Sequence, residues 1–187
     1  MGFRTFLDLV QQHYEFLTHE YGFVGPTLIS KENPPADAGY AEMEYRSATT
    51  IVKIYRGRGK DFSVQIGPLD APDTDFYPLQ WIIGFMTGVE KFVHIQVEPF
   101  TPIPGTYEEA YQLLQAFLAG KEITPFRNTP IDRQNTERLE VWENHRQSVY
   151  ASALRQYGDI FLRGDFSQWD NFCKFVEKII QNDYRSR

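Results

Sequence analysis

The N-terminal segment shows the periodicity of an amphipathic helix. Its large apolar side chains recur every three or four positions: Phe3, Phe6, Leu7, Val10, Tyr14, Leu17 and Tyr21. Polar residues fill the opposite positions, so one face of the predicted helix is apolar and the other is polar. Gly22 follows the last apolar position, and glycine commonly ends a helix because it tolerates the left-handed conformation there.

Alternation with a period of two follows. Residues 40–46, 49–55 and 61–66 are rich in β-branched and aromatic side chains and alternate apolar with polar positions. This pattern is typical of half-buried strands, and the short connectors between them favour antiparallel neighbours. The preceding loop, residues 31–39, contains paired prolines, which prevent regular structure. Residues 91–97 also alternate and predict a strand, although so short an apolar run fits a helix as well.

Helical patterns occupy the middle of the chain. Residues 79–86 are apolar on nearly every side, with Pro78 at a plausible first helical position and Gly88 as the stop. Thr106 and Glu109 form a capping box, which predicts the start of a further helix.

The C-terminal third is predicted to be a helical hairpin. From about Arg133 one apolar stripe continues along the chain through Leu139, Trp142, Val149, Ala153, Tyr157 and Ile160. Gly164 and Asp165 interrupt the helical pattern before a second stripe that begins at Trp169. Two antiparallel helices joined by a short turn account for this arrangement.

These elements predict an α+β fold: an N-terminal helix, an antiparallel meander of about four strands, packed helices and the C-terminal helical hairpin. We expect residues 1–120 to form an α+β body, residues 121–132 a linker, and residues 133–187 the hairpin. The hairpin is expected to pack on the body as one domain, with assembly through the hairpin as the alternative. The sequence leaves a homodimer open.

The composition is that of an ordinary globular domain. Of 187 residues, 42% are hydrophobic and 24% are charged, close to average usage. No apolar run approaches the roughly 18 residues of a membrane span, and the N-terminus lacks a small-residue cleavage site, so we expect a cytoplasmic protein with no membrane contact. The net charge of -6 argues against nucleic-acid binding and favours basic partners. Residues 1–100 carry -5 of it.

The main candidate site is an acidic loop bounded by prolines. Asp70, Asp73 and Asp75 stand beside Phe76 and Tyr77. Carboxylates attract a basic protein, and an exposed aromatic ring can anchor it. These five residues are therefore the predicted partner-binding site. The alternative is a solvated loop whose two rings fix the following helix to the core.

A weaker candidate lies between two predicted strands. Arg56, Arg58 and Lys60 alternate with two glycines, and such a segment could hold an anion through backbone N–H groups and guanidinium groups. A phosphate-binding loop would need a Ser or Thr after the lysine and then a helix, which are missing here. A hairpin turn with solvated cations is the simpler interpretation.

Residue patterns typical of catalysis are sparse. His13 and His19 are six positions apart on one predicted helix, so we expect them to point to different faces. His94 and Glu98 form the remaining candidate pair. The single cysteine, Cys173, lies on the apolar face of the last predicted helix, where a free thiol is normally inert. We assign no catalytic residue, no metal site and no cofactor.

Several segments carry a family resemblance. Tyr14-Glu-Phe-Leu, Glu20-Tyr-Gly-Phe23, the stretches 51–59 and 62–68, and Pro78-Leu-Gln-Trp81 occur in this order within residues 10–85. This order resembles small uncharacterised bacterial proteins, some of which are grouped with the immunity proteins of polymorphic toxin systems. The resemblance implies a cytoplasmic binding protein without catalysis. It carries over no functional residue and does not cover the C-terminal third.

Two function classes follow from the sequence. The first is a non-catalytic protein-protein interaction module, such as an immunity-type inhibitor of a basic toxin or enzyme. The second is an enzyme or small-ligand-binding protein with a cleft between the sheet and the helices, around Trp81 and His94. A single stoichiometric basic partner would favour the first class.

Overall fold

A computed structural model describes residues 3–29, 41–57, 62–72, 75–97 and 130–185. Its contacts divide the chain into two compact units, of which one contains residues 1 and 97–146 and the other residues 2–96 and 147–187. The helix predicted to begin at Thr106 and the predicted linker up to residue 129 lie outside the described residues.

The architecture is of the α+β class, as the sequence predicts. The helices are α1 Phe3–Tyr21, α2 Leu79–Thr87, α3 Pro130–Tyr157, α4 Asp159–Leu162 and α5 Trp169–Arg185. The strands are β1 Val24–Leu28, β2 Ala41–Arg46, β3 Thr50–Arg56, β4 Phe62–Pro68 and β5 Tyr77–Pro78. Within the described residues these strands form one antiparallel sheet in the order β1-β2-β3-β4-β5.

One face of the sheet forms the apolar core. The strand register places two rows of side chains across β2, β3 and β4, namely Met43, Ile54 and Val64, and Tyr45, Val52 and Ile66. All six side chains are at most 4% exposed. Helix α1 contacts β1 and β2 and buries Phe6, Val10, Tyr14 and Leu17 completely. The alternation that predicted the strands therefore marks this buried face.

The segment around α4 covers β3 and β4. The buried hydroxyl Oγ1 of Thr50 donates to the backbone carbonyl of Phe161 at 2.8 Å. Gly158 lies against Ile66, because a Cβ atom added to this glycine would stand 3.1 Å from Cδ1 of Ile66 and 2.7 Å from the carbonyl of Leu154. Only a residue without a side chain allows this approach.

Aromatic rings join α4, α5, α2 and β5. Phe161 is fully buried, and its ring centroid lies 5.2 Å from that of Trp169 and 6.0 Å from that of Phe172. Phe172 also contacts Phe85 of α2 and Tyr77 of β5, at 5.5 and 5.0 Å. The edge-to-face and tilted geometries are those that aromatic pairs prefer. The C-terminal helix α5 therefore packs on α2 and β5 within one compact unit.

Two predictions near α2 need correction. The helix begins at Leu79 and ends before Gly88, whose φ of 70° is left-handed as expected, but Pro78 is the residue before the helix rather than its first residue. The strand predicted for residues 91–97 is wrong, since this segment has no regular secondary structure. Alternation requires only an extended backbone, whereas a strand also needs a hydrogen-bonded neighbour.

The apolar stripe predicted for α3 is also displaced from the buried face. Its members Leu139, Trp142, Val149, Ala153 and Tyr157 are only half-buried. The buried positions of α3 among the described residues combine polar with apolar side chains: Glu143, Arg146, Gln147, Tyr150, Ala151 and Leu154. The carboxylate and guanidinium in this set pair with each other through two hydrogen bonds of 2.6 and 2.5 Å. A pattern of hydrophobic residues alone does not identify a buried helix face that contains a paired carboxylate and guanidinium.

Cys173 is half-buried on α5. Burial raises the pKa of its thiol, although a hydrogen bond with Tyr77 opposes this effect. The nucleophilic form of a cysteine is its thiolate, so these surroundings disfavour reactivity.

The bond between Thr50 and Phe161 allows a direct stability test. Thr50→Val keeps the shape of the side chain but removes the donor, so the free energy of unfolding should fall by about 1 kcal/mol. Thr87→Val is the matched control, because its hydroxyl bonds the Ile83 carbonyl at 2.7 Å on an exposed helix turn. Urea denaturation should show a loss below about 0.5 kcal/mol for the control. Equal losses would contradict a structural role for the buried bond.

We further expect Cys173→Ala to keep the fold and to lower the free energy of unfolding by about 1 to 2 kcal/mol, the scale for losing one packed atom. Alkylation of the native thiol at mildly alkaline pH should be slower than that of a free-cysteine model compound. Faster labelling than the model compound would show that the thiol is activated.

Candidate functional site

The backbone of the acidic loop is fixed near both ends. The Leu69 N–H donates to the carbonyl of Thr49 at 2.8 Å, and the Ala71 N–H donates to that of Pro68 at 3.1 Å. At the other end, the N–H of Asp75 donates to the carbonyl of Pro72 at 2.9 Å. Asp70 is exposed and Asp75 is half-buried, whereas Asp73 lies outside the described residues.

Phe76 anchors the loop to the sheet face opposite the core. Its ring is 8% exposed, and the Lys53 ammonium lies 3.9 Å from the ring centroid. Gly67 allows this contact, because a Cβ atom there would stand 2.9 Å from the ring. The Phe76 ring is thus packed within the fold and is not exposed as an anchor for a partner.

Tyr77 points to the other face of the sheet. Its ring centroid lies 5.7 Å from that of Trp169. Burial, followed by the hydrogen bond with Cys173, raises the pKa of the Tyr77 hydroxyl to about 12. Both rings of the predicted site therefore pack within the fold, Phe76 on the sheet face opposite the core and Tyr77 on the core side. Contact of the loop with a partner remains a prediction for the carboxylates.

The weaker candidate is described only in part. Arg56 ends β3, and its guanidinium carbon lies 5.8 Å from the ring centroid of Phe6. Arg58 and Lys60 lie outside the described residues. The pairing of Arg56 with Phe62 across β3 and β4 fits the predicted hairpin connection, and anion binding there stays a prediction.

The residues of the alternative cleft form an aromatic row. The ring centroid of Phe92 lies 5.1 Å from that of Trp81 and 5.3 Å from that of His94. Trp81 is half-buried and His94 is exposed. The rings of residues 92 and 94 therefore lie next to each other on the same side of residues 91–97.

A groove that the sequence did not indicate lies between α1 and the C-terminal half of α3. Its volume is about 390 Å³, within the range of small-ligand sites. The lining residues of α1 are Gln12, His13, Glu15, Phe16, His19 and Glu20. Those of α3 are Ser148, Ala151, Ser152 and Arg155. The three small residues of α3 leave room beside the longer polar side chains of α1.

Two pairs of a carboxylate and a basic side chain lie in this groove. Nε2 of His19 lies 3.0 Å from Oε1 of Glu15. Nη2 of Arg155 donates to Oε1 of Glu20 at 2.5 Å, and its guanidinium carbon lies 4.3 Å from the ring centroid of Phe16. Each of the four paired side chains is at least half exposed, so the groove remains accessible to solutes.

His13 and His19 both line this groove, although their six-residue spacing directs them to different faces of α1. Side chains about 120° apart around a helix can reach the two sides of a cavity that is wide enough. In the described part of the chain, no group of three His, Cys, Asp or Glu side chains could hold a metal ion.

A hydrogen-bonded network lies where α1 ends. The Tyr21 hydroxyl donates to Oδ1 of Asp159 at 2.7 Å, and Nε of Arg163 donates to both oxygens of that carboxylate at 3.1 Å. The hydrogen bond from Arg163, and then that from Tyr21, holds the pKa of Asp159 below its usual value. Burial and the bond to Asp159 raise the pKa of Tyr21 to about 12. This network fixes the C-terminal end of α1 to α4.

The i, i+4 spacing of Glu15 and His19 is visible in the sequence and could have indicated a polar site on α1. The pair of Glu20 and Arg155 could not have been found in this way, since 135 positions separate them. None of the helices among the described residues has the length and apolar character needed to cross a membrane.

The comparisons with known proteins add no assignment. No family model, no curated protein and no solved structure matches this chain.

Proposed function

We propose that this protein is a non-catalytic interaction module that binds a basic protein through the acidic loop of residues 69–76. The observation that carries the proposal is that backbone hydrogen bonds and the buried ring of Phe76 hold the described residues near both ends of this loop. A loop whose ends are held before binding loses less conformational entropy when a complex forms.

Charge supports the same proposal. The chain has a net charge of -6, of which residues 1–100 carry -5, and Asp70 in the loop is exposed. Carboxylates at the rim of an interface attract a cationic partner over distance and mainly raise the association rate. Because Phe76 and Tyr77 pack in the fold, the carboxylates are the proposed contact groups.

An immunity-type inhibitor of a basic toxin or enzyme, acting in the cytoplasm, is the specific form of this proposal. The order of motifs within residues 10–85 supports it by resemblance. The partner would be a protein with a cationic surface that the inhibitor covers.

The experiment is affinity purification from the cell that produces the protein, followed by stopped-flow association with the partner identified. Replacing Asp70, Asp73 and Asp75 by asparagine should slow association about tenfold at low ionic strength, because electrostatic steering is lost. It should also flatten the salt dependence of the association rate.

The matched control replaces three exposed acids elsewhere, through Asp8→Asn, Glu137→Gln and Asp170→Asn. This control has the same net charge, so an effect that belongs to the loop should be clearly smaller in it. Equal slowing in both variants would remove the loop from the interface, and an acidic partner would overturn the electrostatic argument.

A further inference from the structure

We draw no further inference here: the strongest candidate, the half-buried aromatic surface of Phe166, Trp169 and Tyr77 beside the acidic loop, consists of rings that pack on one another and on the core, and nothing in the described part of the chain shows what would cover it.

Discussion

The structure depends on covering one apolar face of a small antiparallel sheet from both ends of the chain. Four fully buried side chains at the centre of that face, Val52, Ile54, Val64 and Ile66, cannot be removed from water by the meander alone. Helix α1 contacts the β1–β2 side. On β3 and β4, Thr50 bonds to α4 and Ile66 lies against Gly158.

The groove between α1 and α3 and the acidic loop both depend on this arrangement. The groove exists because α1 and residues 148–155 lie side by side, and the ion pair between Glu20 and Arg155 closes one end of it. The acidic loop arises on the opposite face, where Phe76 covers Gly67 and the loop crosses between β4 and β5. The groove thus combines segments that are distant in sequence, whereas the acidic loop connects two neighbouring strands.

That difference explains how far sequence reasoning could go. The periodicity of α1, the alternation of the strands and the stop at Gly88 are local signals, and the structure confirms the elements they predict. The strand predicted for residues 91–97 is absent, because an alternating sequence does not by itself provide a neighbouring strand to bond with. The apolar stripe of α3 did not predict its buried face, because Glu143 and Arg146 are buried as a hydrogen-bonded pair. Hydrophobicity scales treat both residues as exposed. The acidic residues of the loop can be read from the sequence. The packing of its two aromatic rings depends on tertiary contacts and cannot.

The central claim is that α4 and α5 complete the core of the sheet and are not an appended hairpin. Native-state hydrogen exchange tests it most directly, because it measures the opening free energy of each segment separately. We expect the most protected amides of α4 and α5 to open with the same free energy as those of β3 and β4, within about 1 kcal/mol. Exchange of α4 and α5 through a local opening at a much lower free energy would contradict it.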